Sequence, residues 1–385
     1  MHAVASATAI AVLFALLPPL AAGGAMALPV LLCLGGVLSL RPSLIGQAFE
    51  KKSWPLWVLA AFVAWVAASW LWSDYPASVQ APKLALLVPL GLMFAAAAAA
   101  EPTRRLTGAA GAAAFIVLSV LLAVEALWDL PLNRAANPDI PPGEVVRNVN
   151  RGVSVLLAIT WAPAAYFLAN RRPIAAGGVL AISAALALPF GLWANLAAFA
   201  FGLGAFALAF VRPRLAVMAV SGGWAAWALV APFVTPLLIA DQRLVDALPE
   251  SWAQRAGIWK YVCARILEQP WIGHGLDASR AVTDRIQVRG LDMRGVSLHP
   301  HSASLQIWFE TGAVGAVLAA LTLLAGGWAL AQAFERNRPA AGAAAATLAS
   351  LGIIANLSFG AWQEWWNAAL FVAAALVGAL AQRRS

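Results

Sequence analysis

Charged residues are scarce. Asp, Glu, Lys and Arg make up 11% of the chain, against about 25% in an ordinary soluble domain. With 62% hydrophobic residues over 385 positions, a water-soluble globule would run short of polar surface. Disorder is excluded by the same figures, because a disordered chain needs low hydrophobicity and high charge. Cysteine is nearly absent. Cys33 lies in an apolar run and Cys263 in a polar stretch; they are not expected to meet in a disulfide, and neither has metal-ligand spacing. Positive charge is missing at the start, where no Lys or Arg precedes Arg41. A secretory signal needs a positive n-region. Residues 3–22 therefore read as a retained helix, although the small residues of Ala21–Ala27 follow.

Apolar runs are abundant. They fall at about 3–22, 24–40, 54–72, 84–100, 106–128, 152–169, 174–189, 192–210, 215–239, 303–331, 340–357 and 364–380. A bilayer core needs roughly 20 apolar residues per helix. Barrel strands alternate over about 10 residues, which these runs exceed. The stretch 174–210 is too long for one span and splits near Pro189–Trp193. The predicted fold is all-α and polytopic, with about twelve transmembrane helices. Residues 1–239 carry helices 1–9 with a smaller loop at 129–151. Residues 240–302 form one large, partly helical loop, and 303–385 carry helices 10–12.

Positive charge orients such a chain, because cytoplasmic loops collect Lys and Arg. With the N-terminus in the cytoplasm, the inner connections carry Arg41, Lys51 and Lys52; Arg104 and Arg105; Arg171 and Arg172; Arg212 and Arg214; Arg336 and Arg338; and Arg383 and Arg384. The short outer turns at 73–83, 189–193 and 358–363 hold only Lys83. Both termini are therefore expected inside. The net charge of +8 is accounted for by orientation and gives no reason to expect nucleic acid. The Ala-rich stretches 95–100 and 340–346 read as helix filler.

The large outer loop holds eight of the 25 Lys and Arg and three of the four His. Loops of this length are usually functional. Within it, Trp252, Ala256, Trp259, Cys263 and Ile266 recur at helical spacing, with Arg255, Lys260, Arg265 and Glu268 off that stripe. Such a helix suits either the membrane interface or plain packing against the loop. The turn Pro270–Gly275 contains Gly273 and Gly275, which allow a conformation that presents amides to an anion; a plain turn fits equally well. Further on, Ser302 is a plausible N-cap, which puts His301 just outside a helix N-terminus. Imidazole is a base near neutral pH, and a helix N-terminus disfavours its charged form. Glu310 would lie roughly 13 Å further along that helix. A carboxyl at such depth is either functional or bonded to a neighbouring helix. Gly312 and Gly315 read as helix-packing residues.

Residues 301–315 resemble the signature of the O-antigen ligase family of bacterial inner-membrane glycosyltransferases. That signature is His, then Asn, Ser or Gln, then nine residues, then Gly-x-x-Gly; here it reads His301-Ser302, nine residues, Gly312-Ala-Val-Gly315. Arg255-x-x-Ile258-Trp259, the Pro-x-x-Gly-x-Gly turn and Asn150-Arg151-Gly152 are similar to the same family. The resemblance implies transfer of a glycan from undecaprenyl diphosphate, at the periplasmic face, to the lipid A core or to a second lipid-linked glycan. It implies neither metal nor other cofactor, and membrane lipids as surroundings. His301 becomes the expected catalytic base, supported by His299, Glu310, Gly273 and Gly275. Arg255 is the best-matched group for the diphosphate; Arg280, Arg151 and Lys83 are expected there mainly on chemistry. Arginine suits phosphate because its planar fork stays charged and donates two hydrogen bonds. One departure concerns the turn between helices 7 and 8. Many members carry a Ser-Arg or similar polar pair there, where this chain has Gly191-Leu-Trp-Ala-Asn195. Arg147 or Arg151 is expected to substitute, or donor and acceptor differ from those of a typical ligase. The expected activity is O-antigen ligation, with repeat-unit polymerisation as the alternative within the family. A transporter or flippase is the alternative from another class, and an inert scaffold a further one. Transport would be expected to place ionisable groups near mid-membrane, whereas Glu125, Glu310 and Glu364 are all expected near the outer face.

Overall fold

The computed structural model describes residues 2–48, 50 and 53–381. Lys51, Lys52, Arg383 and Arg384, used above for orientation, lie outside the described residues. The helices, in order, are α1 (His2–Ala22), α2 (Leu28–Leu38), α3 (Pro42–Ala48), α4 (Trp54–Ala68), α5 (Gln80–Ala99), α6 (Glu101–Leu127), α7 (Pro131–Ala136) and α8 (Pro142–Ala169). There follow α9 (Pro173–Ala187), α10 (Trp193–Val211), α11 (Pro213–Leu238), α12 (Gln242–Ala247), α13 (Glu250–Ile266), α14 (Ala303–Phe334), α15 (Arg338–Leu357) and α16 (Glu364–Gly378). Proline in the first turn starts α6, α8, α9, α11 and α15, where its missing N–H costs nothing. The sheet content described is one antiparallel hairpin, β1 (Arg285–Val288) with β2 (Leu291–Arg294), in the register Arg285↔Arg294 to Val288↔Leu291. The protein is an all-α, multi-pass membrane protein.

A helix stands at each of the twelve apolar runs, but they differ in length. Among the described residues, nine are long and apolar enough to cross a bilayer. The other three, α2, α9 and α16, have 11, 15 and 15 residues. At 1.5 Å per residue they span roughly 16–22 Å of a core about 30 Å thick. The expectation of about twelve spans is narrowed accordingly. Hydropathy counts apolar turn residues as helix. Gly24 and Ala25, inside the run 24–40 but before α2, have left-handed backbone that no α-helix contains.

The bundle is built around α8. Residues 152–165 of this helix are buried on every side, as expected for a helix apolar all round. It packs against α1, α6, α9, α15 and α16. Trp161 is fully buried between Phe199 and Phe206 of α10, with ring centroids 5.6 and 5.9 Å away; its indole N–H donates to Ser350 Oγ at 3.0 Å. Ala340–Ala346 are all buried and let α15 lie close against α10. They are packing residues rather than filler, because helix association in lipid depends on close approach by small side chains. Large apolar side chains face outward, among them Ile174 and Leu237, as suits contact with acyl chains.

The connections assigned above to opposite sides gather at opposite ends. At one end Asn133 bonds Ala22, Lys83 pairs with Glu364, and His274 meets Asp74. At the other, Arg41 bonds Ser6, Arg104 bonds the Ala381 carbonyl, and Asn337 bonds that of Leu380. Residues 240–302 sit over the first end.

Candidate active site

The site begins with a break in α14. Gly312 has φ 65° and ψ −166° inside an otherwise helical run. That reversal strips Ala313 and Val314 of their helical acceptors, and it frees the carbonyls of Phe309 and Glu310. At membrane depth such groups must find other partners. The turn 270–275 supplies them. Ala313 N–H donates to Pro270 O (2.8 Å) and Val314 N–H to Trp271 O (3.3 Å); His274 N–H donates to Phe309 O (2.8 Å) and Gly275 N–H to Glu310 O (2.8 Å). Trp65 of α4 donates its indole N–H to Thr311 O (3.0 Å). No side chain fits between turn and helix: a Cβ on Gly312 would lie 2.3 Å from the Trp271 carbonyl, and one on Gly273 2.6 Å from Glu310 C. Gly312 is thus a docking point for the loop, not the helix-packing residue expected from its spacing. The amides of Gly273, His274 and Gly275 are spent on Gln269, Phe309 and Glu310; of the two readings of this turn, the plain one is the one the contacts match.

Glu310 lies fully buried beside this junction. Its Oε1 accepts from Ser279 Oγ (2.5 Å) and Gln306 Nε2 (3.0 Å); its Oε2 accepts from Asp277 N–H (2.8 Å) and Trp362 Nε1 (2.6 Å). The carboxyl therefore ties the outer loop, α14 and the 358–363 turn together. All four of these bonds are internal to the protein.

His301 sits at the head of α14. Ser302 is the N-cap, its Oγ accepting from Leu305 N–H at 3.5 Å. His301 Nδ1 lies 2.8 Å from the Ser358 carbonyl. A carbonyl only accepts, so Nδ1 carries the proton and Nε2 keeps its lone pair. Among the described residues no group is recorded bonding Nε2. Burial, opposed by the Ser358 bond and reinforced by the Arg255 charge, pushes the His301 pKa down to about 4. The ring is a neutral base at pH 7. Its neighbour His299 packs 4.4 Å away, ring to ring.

Arg255 approaches from α13. Four residues on, Trp259 Nε1 bonds the Pro300 carbonyl at 2.8 Å, which pins that face of α13 to the His299–His301 segment. The Arg255 guanidinium lies 5.1 Å over the Trp252 ring. It makes no ion pair among the described residues, and its Nε is buried without a partner. Burial works against its charge and lowers its pKa, an environment that an anionic ligand would relieve. α13 is packed against α11 and α14, with Ala253, Ile258 and Val262 buried alongside Ala256, Cys263 and Ile266. Of the two readings of this helix, packing is the one the contacts match. Cys263 and Cys33 are both free.

The remaining cations are placed less directly. Arg280 lies close enough to act on His299 electrostatically, but its Nε bonds Asp277 at 2.8 Å. Lys83 is paired with Glu364 at 2.5 Å, so its charge is neutralised locally. Arg151 lies 5.8 Å over the Trp365 ring and bonds Asn148 weakly (3.4 Å); no contact described ties it to the histidines. Arg147 is exposed and faces Glu144 at 3.8 Å. Asn195, where a polar pair was expected, is buried and bonded to Ser154. Sequence reasoning missed Ser358, Trp362 and Gln363. They lie in the uncharged turn 358–363 with no pattern to mark them, and only their partners reveal them.

An apolar groove of about 550 Å³ opens at the head of α14, two residues on from His301. Its outer mouth is lined by Ala303, Ser304, Asn356 and Trp362, and it reaches Leu330 and Gly378 near the far end of the bundle.

Comparison with known proteins bears on this arrangement. Residues 145–320 match the model of the family described as O-antigen ligase. That stretch runs from α8 past the break in α14 and contains all the cations and histidines above except Lys83. A protein of Rickettsia conorii named "Putative polysaccharide ligase RC0486" is 26% identical over 57% of this chain and 54% of its own length. One of Rickettsia bellii named "Putative polysaccharide ligase" is 26% identical over 41% of this chain and 40% of its own. The matches span about half or less of these relatives. No solved structure gives a significant match. Together the findings support the O-antigen ligase family.

Proposed function

We propose, taking support for that family as premise, that this protein transfers a glycan from a lipid diphosphate to an acceptor hydroxyl at the end of the bundle where His301 lies. The donor is read as undecaprenyl diphosphate-linked, the membrane as the bacterial inner membrane, and the site as periplasmic. The acceptor is read as the lipid A core.

The observation that carries this reading is the His301–Ser358 bond. It leaves one ring nitrogen free to take a proton, near a half-buried arginine without a counter-ion and two residues before the mouth of an apolar groove. In the proposed step the acceptor oxygen bonds to the anomeric carbon. Its proton passes to His301 Nε2. The bond from anomeric carbon to phosphate oxygen breaks, and its electron pair stays on the departing diphosphate. Arg255 faces that growing charge, and Arg280 can join it by exchanging Asp277 for phosphate. Cations fixed before the reaction stabilise the transition state without reorganising. The donor's negative charge next to His301 also raises the ring's proton affinity from its depressed value. The groove suits a single polyisoprenoid chain running alongside α14. This chemistry draws on no metal ion.

Transfer in vitro tests the reading. Purified protein is given undecaprenyl-diphosphate glycan with either lipid A core or a second donor molecule. Extension of the core, lost in His301→Ala while the protein stays folded, is the expected result. Extension of the second donor alone makes the protein a polymerase. Transfer to neither acceptor, or full activity of His301→Ala, overturns the proposal.

A further inference from the structure

His301 has φ 57°. Outside glycine, left-handed backbone is disfavoured, and it persists where surroundings over-determine it. One determinant is the Nδ1–H bond to Ser358. The other is His299. The backbone N–H of His301 donates to His299 Nδ1 at 3.2 Å. A nitrogen that accepts carries no proton, so the neutral His299 ring holds its proton on Nε2. That nitrogen lies 3.0 Å from Gln363 Nε2; a ring N–H cannot donate to an NH2, so the side-chain amide is assigned turned over, with its oxygen in that place. The amide oxygen is the end that can accept from it, and Gln363 Oε1 is otherwise buried without a donor. Gly360 lies beneath the ring, so close that a Cβ there would sit 2.8 Å from His299 Cγ. The turn 358–363 thus holds both rings, His301 through Ser358 and His299 through Gly360 and Gln363.

His299 has no free lone pair in this arrangement. Burial, with the charges of His301, Arg280 and Arg255, pushes its pKa down to about 3. It stays neutral and keeps accepting.

We propose that His299 is a positioning residue for His301, and that Gln363 fixes the His299 tautomer. By accepting the His301 N–H, His299 holds the left-handed bend that points the base's Nε2 at the acceptor hydroxyl. This rests on the reading of His301 as the base.

The test uses the full-length protein in detergent or vesicles. His299→Phe keeps the ring and removes the acceptor. His299→Asn keeps an acceptor that can bond the N–H two residues on, as in an Asx turn. His299→Phe is expected to lower kcat about 10- to 100-fold, the scale of a misplaced catalytic group, with donor KM unchanged; His299→Asn restores most of the rate. Diethyl pyrocarbonate labelling of His301, read by mass spectrometry, follows the same order without relying on transfer. Gln363→Glu serves where His299→Phe fails to fold. Its carboxylate favours a protonated His299, which cannot accept, so the acid limb of the rate profile moves to higher pH. The groups facing this position are His301, Arg255, Arg280 and the Lys83–Glu364 pair, and none is altered by the variant. Wild-type kcat and labelling in His299→Phe, or an unmoved acid limb in Gln363→Glu, overturns the positioning role. Full activity of His301→Ala overturns the parent reading instead.

Discussion

Glu310→Gln isolates what the buried carboxyl does. The substitution keeps volume and shape and turns one oxygen into an NH2. If that group replaces Oε2, the Asp277 N–H and the Trp362 indole both face a donor. If it replaces Oε1, Ser279 can rotate to accept, but Gln306 cannot. Its own Oε1 holds the Ala361 N–H at 2.8 Å, so turning the amide breaks that bond. Either way at least one buried donor is orphaned. The loss is about 2–3 kcal/mol, the scale of a bond to a charged group whose partner is left unmet. Glu310→Ala orphans all four donors and costs at least about 4 kcal/mol, taking about 1 for each. Thermal unfolding in detergent, followed by the fluorescence of the 18 tryptophans, reads the effect. Glu310→Gln is expected to melt roughly 3 °C below wild type, with transfer lost in parallel. A melting point equal to that of wild type, together with loss of transfer, would show that the carboxyl acts on substrate and would refute the structural assignment.

The other expectations are local. The His301 pKa of about 4 is below the usual value, so the base form persists as pH falls through 6.5 and is lost only near 4. A pH–rate profile for transfer is expected to be flat between pH 6 and 8, with no inflection at the ordinary histidine pKa of about 6.5. The unfolded chain binds more protons than the folded one between those two pKa values, so stability falls with acidification through that window; denaturant titrations at pH 7 and pH 5 check the sign. Arg255→Lys keeps a charge but loses the planar fork; weaker donor binding is expected, and an unchanged donor KM would assign Arg255 to packing on Trp252. Gly312→Ala puts a Cβ onto the Trp271 carbonyl at a positive φ, and limited proteolysis is expected to cut within 268–300 faster than in wild type.

Particular residues show what was legible beforehand. His301 and Arg255 were marked by chemistry, spacing and resemblance, and in the structure the Arg255 charge acts on the His301 ring. Ser302 as N-cap, and α13 as a helix carrying Arg255, follow from short-range rules. Lys83 looked equally available as a cation, yet its partner Glu364 lies 281 positions away, beyond any local pattern. Gly273 and Gly275 could be read as a plain turn or as an anion cradle, and the choice depended on a break in α14 that nothing in the loop announces.

Composition and the periodicity of charge fixed the solvent this chain folds in, the places where its helices lie and the alternation of its connections. These are sums over neighbouring residues, and neighbours are given by the chain itself. The tertiary structure decided which oxygen meets which donor. A buried polar group takes whatever partner the packing brings, as Glu310 takes Asp277 from 33 positions before it and Trp362 from 52 after. A hydrogen bond needs placement to a few tenths of an ångström, and only the assembled bundle provides it.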